Sequence, residues 1–303
     1  MAVAPTTAPP AGAPEIPGAT RRMVTVQSHD SGPLALHVYE AGSGPPVLLL
    51  HGWPEVAWSW RKLFPLLADD YRLIAPDLRG FGWSEAPGQG YDGITFGLDA
   101  IALLDALEID KAYVIGHDWG GFAAFVLGIT HPQRVERMVI LNTLPPWVER
   151  SPRLLLEAWR TTYAFVMAGF GERLMSRRPD VVARMLRADR VSEDAITNAD
   201  AEGYGRFYQR PESAYATQQL YRSYVKSIRE VGFKARFADL RLTVPTRFIF
   251  GKQDKAISYR MLDGVERHCD DLTVELVPDS GHFIAEEKPE LVAERTRAFF
   301  TVS

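Results

Sequence analysis

Three short stretches carry side chains that together could do chemistry. Gly116-His117-Asp118-Trp119-Gly120 follows an apolar run and sets a carboxylate between glycines. Gly251-Lys252-Gln253-Asp254 and Asp279-Ser280-Gly281-His282 follow two later apolar runs. The G-x-D-x-G form permits a strand-to-helix turn so sharp that the central residue is strained and its side chain projects into a cleft. Serine at that centre gives the nucleophile elbow of an esterase; here a carboxylate holds the place. Each residue also has a plainer reading. Asp118 would cap the helix after it, Asp254 would serve a turn, and His282 would be a hydrogen-bonded loop histidine. Their order (nucleophile, acid, histidine), each just past a strand, is what makes them a set. Asn142 ends the strand at the other place where an acid could stand. It carries no charge, so the acid is Asp254.

The carboxylate narrows the reaction. Attack on an ester would form an anhydride, a poor resting point. Attack on a saturated carbon bearing a strained oxygen or a halide forms a plain alkyl ester, which water can then hydrolyse at the carbonyl of Asp118. The expected roles are nucleophile for Asp118, base for water at His282, and orienting partner at Asp254. An apolar cleft should raise the pKa of Asp118, and a helix beginning at Gly120 should favour its anion. The anion is expected to prevail, since a neutral carboxyl could not attack.

These residues need strands that end side by side. Strands are expected at Met23–Ser28 and Leu34–Tyr39 as a hairpin, then at Pro46–Leu50, Tyr71–Ala75, Ala112–Ile115 and Arg137–Leu141. Leu98, Ile101, Leu104 and Leu107 recur at helical spacing, and Phe122–Gly128 reads as a buried helix. From about Pro145 to Leu240 the alternation stops, and the segment is helical and rich in Arg, Tyr, Trp and Phe. It then resumes with a strand at Thr246–Phe250, a helix at Tyr259–His268, a strand at Thr273–Val277 and a helix at Pro289–Phe300. Short apolar strands alternating with helices predict an α/β fold with a mostly parallel sheet covered on both faces. The core would comprise residues 21–146 and 240–303, and residues 147–239 would form an inserted helical cap. Residues 1–20, rich in Ala and Pro, read as a disordered leader without the pattern of a signal peptide.

With these motifs assembled, the chain resembles the α/β-hydrolase superfamily, in its branch of epoxide hydrolases and haloalkane dehalogenases. Gly116-His117-Asp118-Trp119-Gly120-Gly121 is similar to the epoxide hydrolase nucleophile motif. His51-Gly52-Trp53-Pro54-Glu55 is similar to the H-G-x-P motif, and Asp77-Leu78-Arg79-Gly80-Phe81-Gly82 to its usual companion. The resemblance spans about Arg21 to Phe300 and is weakest in the cap. It implies an oxyanion hole formed by the N–H groups of Trp53 and Trp119, and a turn at Pro54 with a cis peptide bond. It also implies two cap tyrosines that donate to the oxygen of an opening epoxide. Tyr221, in Leu220-Tyr221-Arg222-Ser223, matches the segment of one such tyrosine; Tyr163 is chosen for the other, with Tyr215 as substitute.

A cap tyrosine could equally be an amphipathic packing residue. Trp53, Trp119, Tyr215 and Trp147 are expected to line the substrate cavity; Trp147 and Trp159 could instead simply pack the cap. His51, His117 and the cap arginines are read as structural or solvated. The resemblance implies an epoxide hydrolase making vicinal diols, with a role in detoxification. A dehalogenase-type hydrolase is the alternative, although Trp53 stands where such enzymes commonly carry Asn and Trp119 where fluoroacetate dehalogenases carry Arg. A non-catalytic ligand-binding member of the fold is the third reading.

Bulk properties agree with these limits. The 303 residues carry a net charge of -4, with 46% hydrophobic and 24% charged residues. No basic field favours nucleic acid, and no apolar run approaches the roughly 18 residues of a membrane span, so neither partner is expected. One cysteine, Cys269, leaves no internal disulfide, and the seven histidines lack zinc-binding spacing. The expected protein is cytoplasmic, needs no metal or organic cofactor, and takes a small-molecule epoxide and water. A homodimer is an open alternative.

Overall fold

The computed structural model describes residues 12–147, 158–178, 180–229, 237 and 239–301. Its centre is an eight-stranded sheet in the order β1-β2-β4-β3-β5-β6-β7-β8. β1 (Thr20–Ser28) and β2 (Gly32–Ala41) form an antiparallel hairpin, and β2 pairs antiparallel with β4 (Arg72–Pro76). From β4 the sheet is parallel through β3 (Pro46–Leu50), β5 (Ala112–His117), β6 (Val135–Leu141), β7 (Thr246–Gly251) and β8 (Leu272–Val277). The central strands are apolar on both faces because helices cover both: Val47 to Leu50 and Met138 to Leu141 are fully buried. This is the α/β-hydrolase fold that the sequence implied.

Helices α1 (Phe64–Leu67), α2 (Gly93–Ala106) and α3 (Asp118–Thr130) belong to the core. Asp92 caps α2 by accepting from the N–H groups of Ile94 and Thr95. α3 starts at Asp118 itself, two residues before the expected Gly120. The helix expected at Tyr259–His268 is instead two 3-10 turns, Tyr259–Leu262 and Val265–His268, separated by Gly264 in the left-handed region at φ 83°. Part of the expected leader also differs. Ile16 is buried in the core beneath one face of the sheet, and the Tyr39 hydroxyl donates to the Pro14 carbonyl at 2.7 Å. Residues 12–19 therefore pack on the domain, and residues 1–11 lie outside the described residues.

Among the described residues between β6 and β7 stand the cap helices α4 (Thr162–Arg177), α5 (Val181–Asp189), α6 (Asn198–Phe207) and α7 (Pro211–Arg229). A reciprocal capping box, Thr197 with Asp200, starts α6. α4 packs along α7. Its Ala164, Met167, Gly171 and Met175 recur every three or four residues and are buried. The opposite face of α4 and the turn before it expose Phe165, Val166, Phe170 and Trp159, the last two at 65% and 63%. α8 (Ile284–Glu287) and α9 (Pro289–Phe300) close the chain against the core. Among the described residues no helix is long and apolar enough to cross a membrane.

Register fixes where the site falls. Leu50 lies beside Gly116, His117 beside Leu141, Leu141 beside Ile249, and Gly251 beside Val277. The carboxyl ends of β3, β5, β6, β7 and β8 thus align, and the segments leaving them meet on one edge, under the cap.

Candidate active site

Asp118 occupies the corner between β5 and α3 with φ 48°, a left-handed conformation that few residues other than glycine adopt. The neighbouring glycines are needed because β3 passes close by. A Cβ on Gly120 would lie 2.1 Å from the Leu50 carbonyl oxygen, and one on Gly52 would lie 2.4 Å from the Asp118 Cβ. The Thr143 hydroxyl donates to the Asp118 carbonyl at 2.6 Å and fixes the corner from β6.

The Asp118 carboxylate is held asymmetrically. Its Oδ2 accepts the Trp53 N–H at 2.9 Å, and the Trp119 N–H also donates to the group. The Trp53-Pro54 peptide is cis. Its Oδ1 is 4.0 Å from His282 Nε2. Burial holds the pKa of Asp118 above the ordinary carboxylate value, although His282, His117 and the two backbone N–H groups act to lower it.

His282 and Asp254 follow β8 and β7. His282 Nδ1 meets Asp254 Oδ2 at 2.8 Å, and Asp254 Oδ1 accepts the N–H groups of Ala256 and Ile257 at 2.8 and 2.7 Å. Burial lowers the pKa of His282, but Asp254 and then Asp118 outweigh it and push the imidazole up to about 10. His282 thus sits between two carboxyl groups whose charge favours its protonated form.

Two further histidines complete the frame. His117 Nε2 faces the His282 carbonyl at 2.8 Å and its Nδ1 faces Glu55 Oε2 at 2.7 Å. Both ring nitrogens face acceptors, so the ring carries two protons. Accordingly its pKa is raised, against its burial, by Glu55, and Glu55 is held below its ordinary value. His51 differs: Nε2 accepts the Leu78 N–H at 2.9 Å while Nδ1 donates to the Gly52 carbonyl at 2.8 Å. It is thus a neutral ring whose pKa burial lowers. Both are structural hydrogen-bonders.

Above Asp118 stand cap aromatics. Tyr221 of α7 packs edge-on against Trp53 at 5.1 Å, Trp119 at 6.2 Å and Tyr163 of α4 at 5.5 Å between ring centroids. The Tyr163 and Tyr221 hydroxyls interact with each other and feel the charge of Asp118. Burial keeps both well above the ordinary phenol range, so both are neutral donors. Tyr224, edge-on to Trp119, is pushed up to about 12 by burial and by Asp118. Trp53 is tied to the cap as well: its Nε1 donates to the Thr217 hydroxyl, one turn before Tyr221, at 3.1 Å.

Asp118, Asp254, His282, Trp53, Trp119, Tyr163 and Tyr221 are thus brought together. Two residues expected in the cavity are not. Tyr215 turns outward, stacking edge-on with Tyr91 and donating to the Gly88 carbonyl at 2.9 Å. Trp147 is buried away from the site, flat against His268 and donating from Nε1 to the Phe237 carbonyl at 2.7 Å. Trp159 is mostly exposed. Arg160, grouped with the solvated cap arginines, reaches the core and donates to the carbonyls of Asp254 and Lys255 at 3.0 and 2.6 Å. Sequence reasoning missed Thr217, which carries no motif. It also passed over Asn142, whose side chain lies between the ends of β7 and β8 and touches Asp254. Among the described residues no cluster of His, Cys, Asp and Glu could hold a metal ion.

Comparison with known proteins follows this geometry. The family model of the alpha/beta hydrolase fold matches residues 45–289. A soluble epoxide hydrolase of Corynebacterium sp. (strain C12) is 32% identical over 272 residues, covering 88% of this chain and 93% of the relative. The AB hydrolase superfamily protein YfhM of Bacillus subtilis (strain 168) is 31% identical over 286 residues, covering 89% and 95%. The solved structure of epoxide hydrolase CorEH without ligand superposes with a TM-score of 0.79 at 29% identity, covering 93% of this chain and 98% of that one.

Proposed function

Since the chain belongs to the alpha/beta hydrolase fold family, we propose that it opens an epoxide to a vicinal diol through an ester on Asp118. The observation that carries this reading is the division of the Asp118 carboxylate. Oδ2 is occupied by the Trp53 N–H, while Oδ1 faces His282, and the cap tyrosines feel the charge of the carboxylate. Oδ1 attacks an epoxide carbon as the carbon–oxygen bond of the ring breaks. The departing alkoxide takes a proton from Tyr221 or Tyr163, whose neutral hydroxyls are suited to donate.

Ester formation removes the negative charge at Asp118, one of the two carboxylates that hold His282 protonated. The imidazolium then gives up its proton, which returns the tyrosinate left by ring opening to the phenol, and the neutral imidazole can accept a proton from water. That water adds to the Asp118 carbonyl, and the oxyanion forms at Oδ2, already seated on the Trp53 N–H, with the Trp119 N–H also donating to the group. Collapse breaks the ester, the leaving diol oxygen takes the proton from His282, and the acid proton left on Asp118 passes to His282, which restores the carboxylate. A protein that works this way takes its small-molecule epoxide and water as its only reactants, and we place it in the cytoplasm on its lone buried cysteine.

The test is trapping. His282→Gln should leave the first half-reaction and block the second, so styrene oxide or an aliphatic epoxide that the wild type turns over adds its mass to the protein. Intact-protein mass spectrometry reads this directly. An absence of adduct with every such epoxide would sink the reading.

A further inference from the structure

Asn142 is the first residue beyond β6, fully buried, at φ 33°. Asparagine tolerates that left-handed conformation better than most residues, which would explain its presence without any part in chemistry. Its amide, however, is fully engaged. Oδ1 accepts the Gly251 N–H at 2.9 Å, and Nδ2 donates to Asp254 Oδ2 at 2.7 Å and to the Gly281 carbonyl at 3.2 Å. Reversing the amide would set two donors against each other at Gly251 and two acceptors against each other at Asp254, so its orientation is fixed.

The oxygen that Asn142 holds is the one that His282 Nδ1 meets at 2.8 Å. Asp254 Oδ1 already has two backbone donors, so Asn142 fills the last acceptor position and fixes the carboxylate plane relative to the imidazole. The same side chain joins the end of β7 to the loop that carries His282. A carboxylate there would stand within hydrogen-bond distance of Asp254, and the two could not both remain charged.

We propose that Asn142 is a positioning residue for the base, serving hydrolysis of the Asp118 ester and not its formation. The inference rests on the ester mechanism above. Asp118 and the cap tyrosines carry the first half-reaction, and none of them touches Asn142. The second depends on the line from Asp254 to His282, where a hydrogen bond to a charged group is worth roughly tenfold to a hundredfold in rate.

Asn142→Gly suits the backbone angle while removing the amide, and so separates the two explanations. Under the proposal, rapid mixing with a turned-over epoxide followed by acid quench and intact mass gives ester formation within about threefold of wild type. Hydrolysis is slowed about tenfold or more, and the adduct accumulates. Asn142→Asp retains an acceptor for Gly251 and, when protonated, a donor for Asp254. Its hydrolysis rate relative to wild type should approach one at acidic pH and fall as pH rises and the new carboxyl ionises. Equal slowing of both half-reactions, no slowing in Asn142→Gly, or a flat ratio for Asn142→Asp overturns the assignment. If Asn142→Gly fails to fold, the pH profile of Asn142→Asp decides alone. His282→Gln run in parallel separates the two failures. An adduct there without one in Asn142→Gly defeats only the role of Asn142; no adduct in His282→Gln defeats the mechanism beneath it.

Discussion

The core and the cap supply the site by different physical means. In the core, each functional group sits a few residues past a strand end, and main-chain contacts hold Asp118 and Asp254, with the Asn142 amide completing the hold on Asp254. Backbone N–H groups hold Asp118 and Asp254, and strand register aligns the ends of β3, β5, β6, β7 and β8. In the cap, Tyr163 and Tyr221 are held by side chains. Ring edges meet Trp53 and Trp119, the Thr217 hydroxyl meets the Trp53 indole, and the Tyr204 hydroxyl donates to Glu286 beside Arg61. Main-chain placement tolerates almost no change of backbone, whereas side-chain placement can be altered one group at a time.

The largest effect is therefore expected where the core backbone is tightest. Gly120→Ala puts a methyl group 2.1 Å from the Leu50 carbonyl, and neither backbone can yield without disturbing two central strands. The loss should be roughly 3 kcal/mol or more, or failure to obtain soluble protein. Urea unfolding measures it, and a midpoint like that of the wild type would remove the close approach as the reason for glycine.

An intermediate effect is expected in the cap. Tyr221→Phe should lower kcat for an epoxide by about tenfold to a hundredfold, Tyr163 remaining as a second donor, with unfolding little changed. Tyr163→Phe should cost less, because Tyr221 is the more buried of the two and touches both Trp53 and Trp119. A larger loss from Tyr163→Phe would reverse the ranking.

The smallest effect concerns the seam between the regions. Burial pushes the Glu286 carboxyl up to about 7 despite Arg61 and Tyr204. A carboxyl whose folded pKa exceeds its unfolded value binds more protons when native, so stability falls as pH rises from about 4.5 to about 7. Glu286→Gln should flatten that part of the Tm–pH curve, each pKa unit between the folded and unfolded values being worth about 1.4 kcal/mol. An unchanged slope would assign it to another group.

The same contrast sets how much could be read from sequence. Asp118, Asp254 and His282 were legible because a strand end gives a residue a place, and three suitable types at three such places constrain one another. Trp147 and Tyr215 misled because aromatic character does not tell which way a ring turns. One stacks on His268 and the other on Tyr91. Gly264 was the available sign that Tyr259–His268 could not be one helix. Asn142 was visible but judged only on charge, and a neutral amide acts here through geometry. Nothing in the sequence marks Thr217, since its partner is Trp53, distant in the chain.

The two faces of α4 have a consequence for the roof of the site. Tyr163 points inward from a helix whose other side exposes Phe165, Val166 and Phe170. Among the described residues no second layer stands over that face, so the distance from the outer surface to the Tyr163 hydroxyl is one helix diameter, about 10 Å. Any tilt of that single rod reaches the hydroxyl without attenuation.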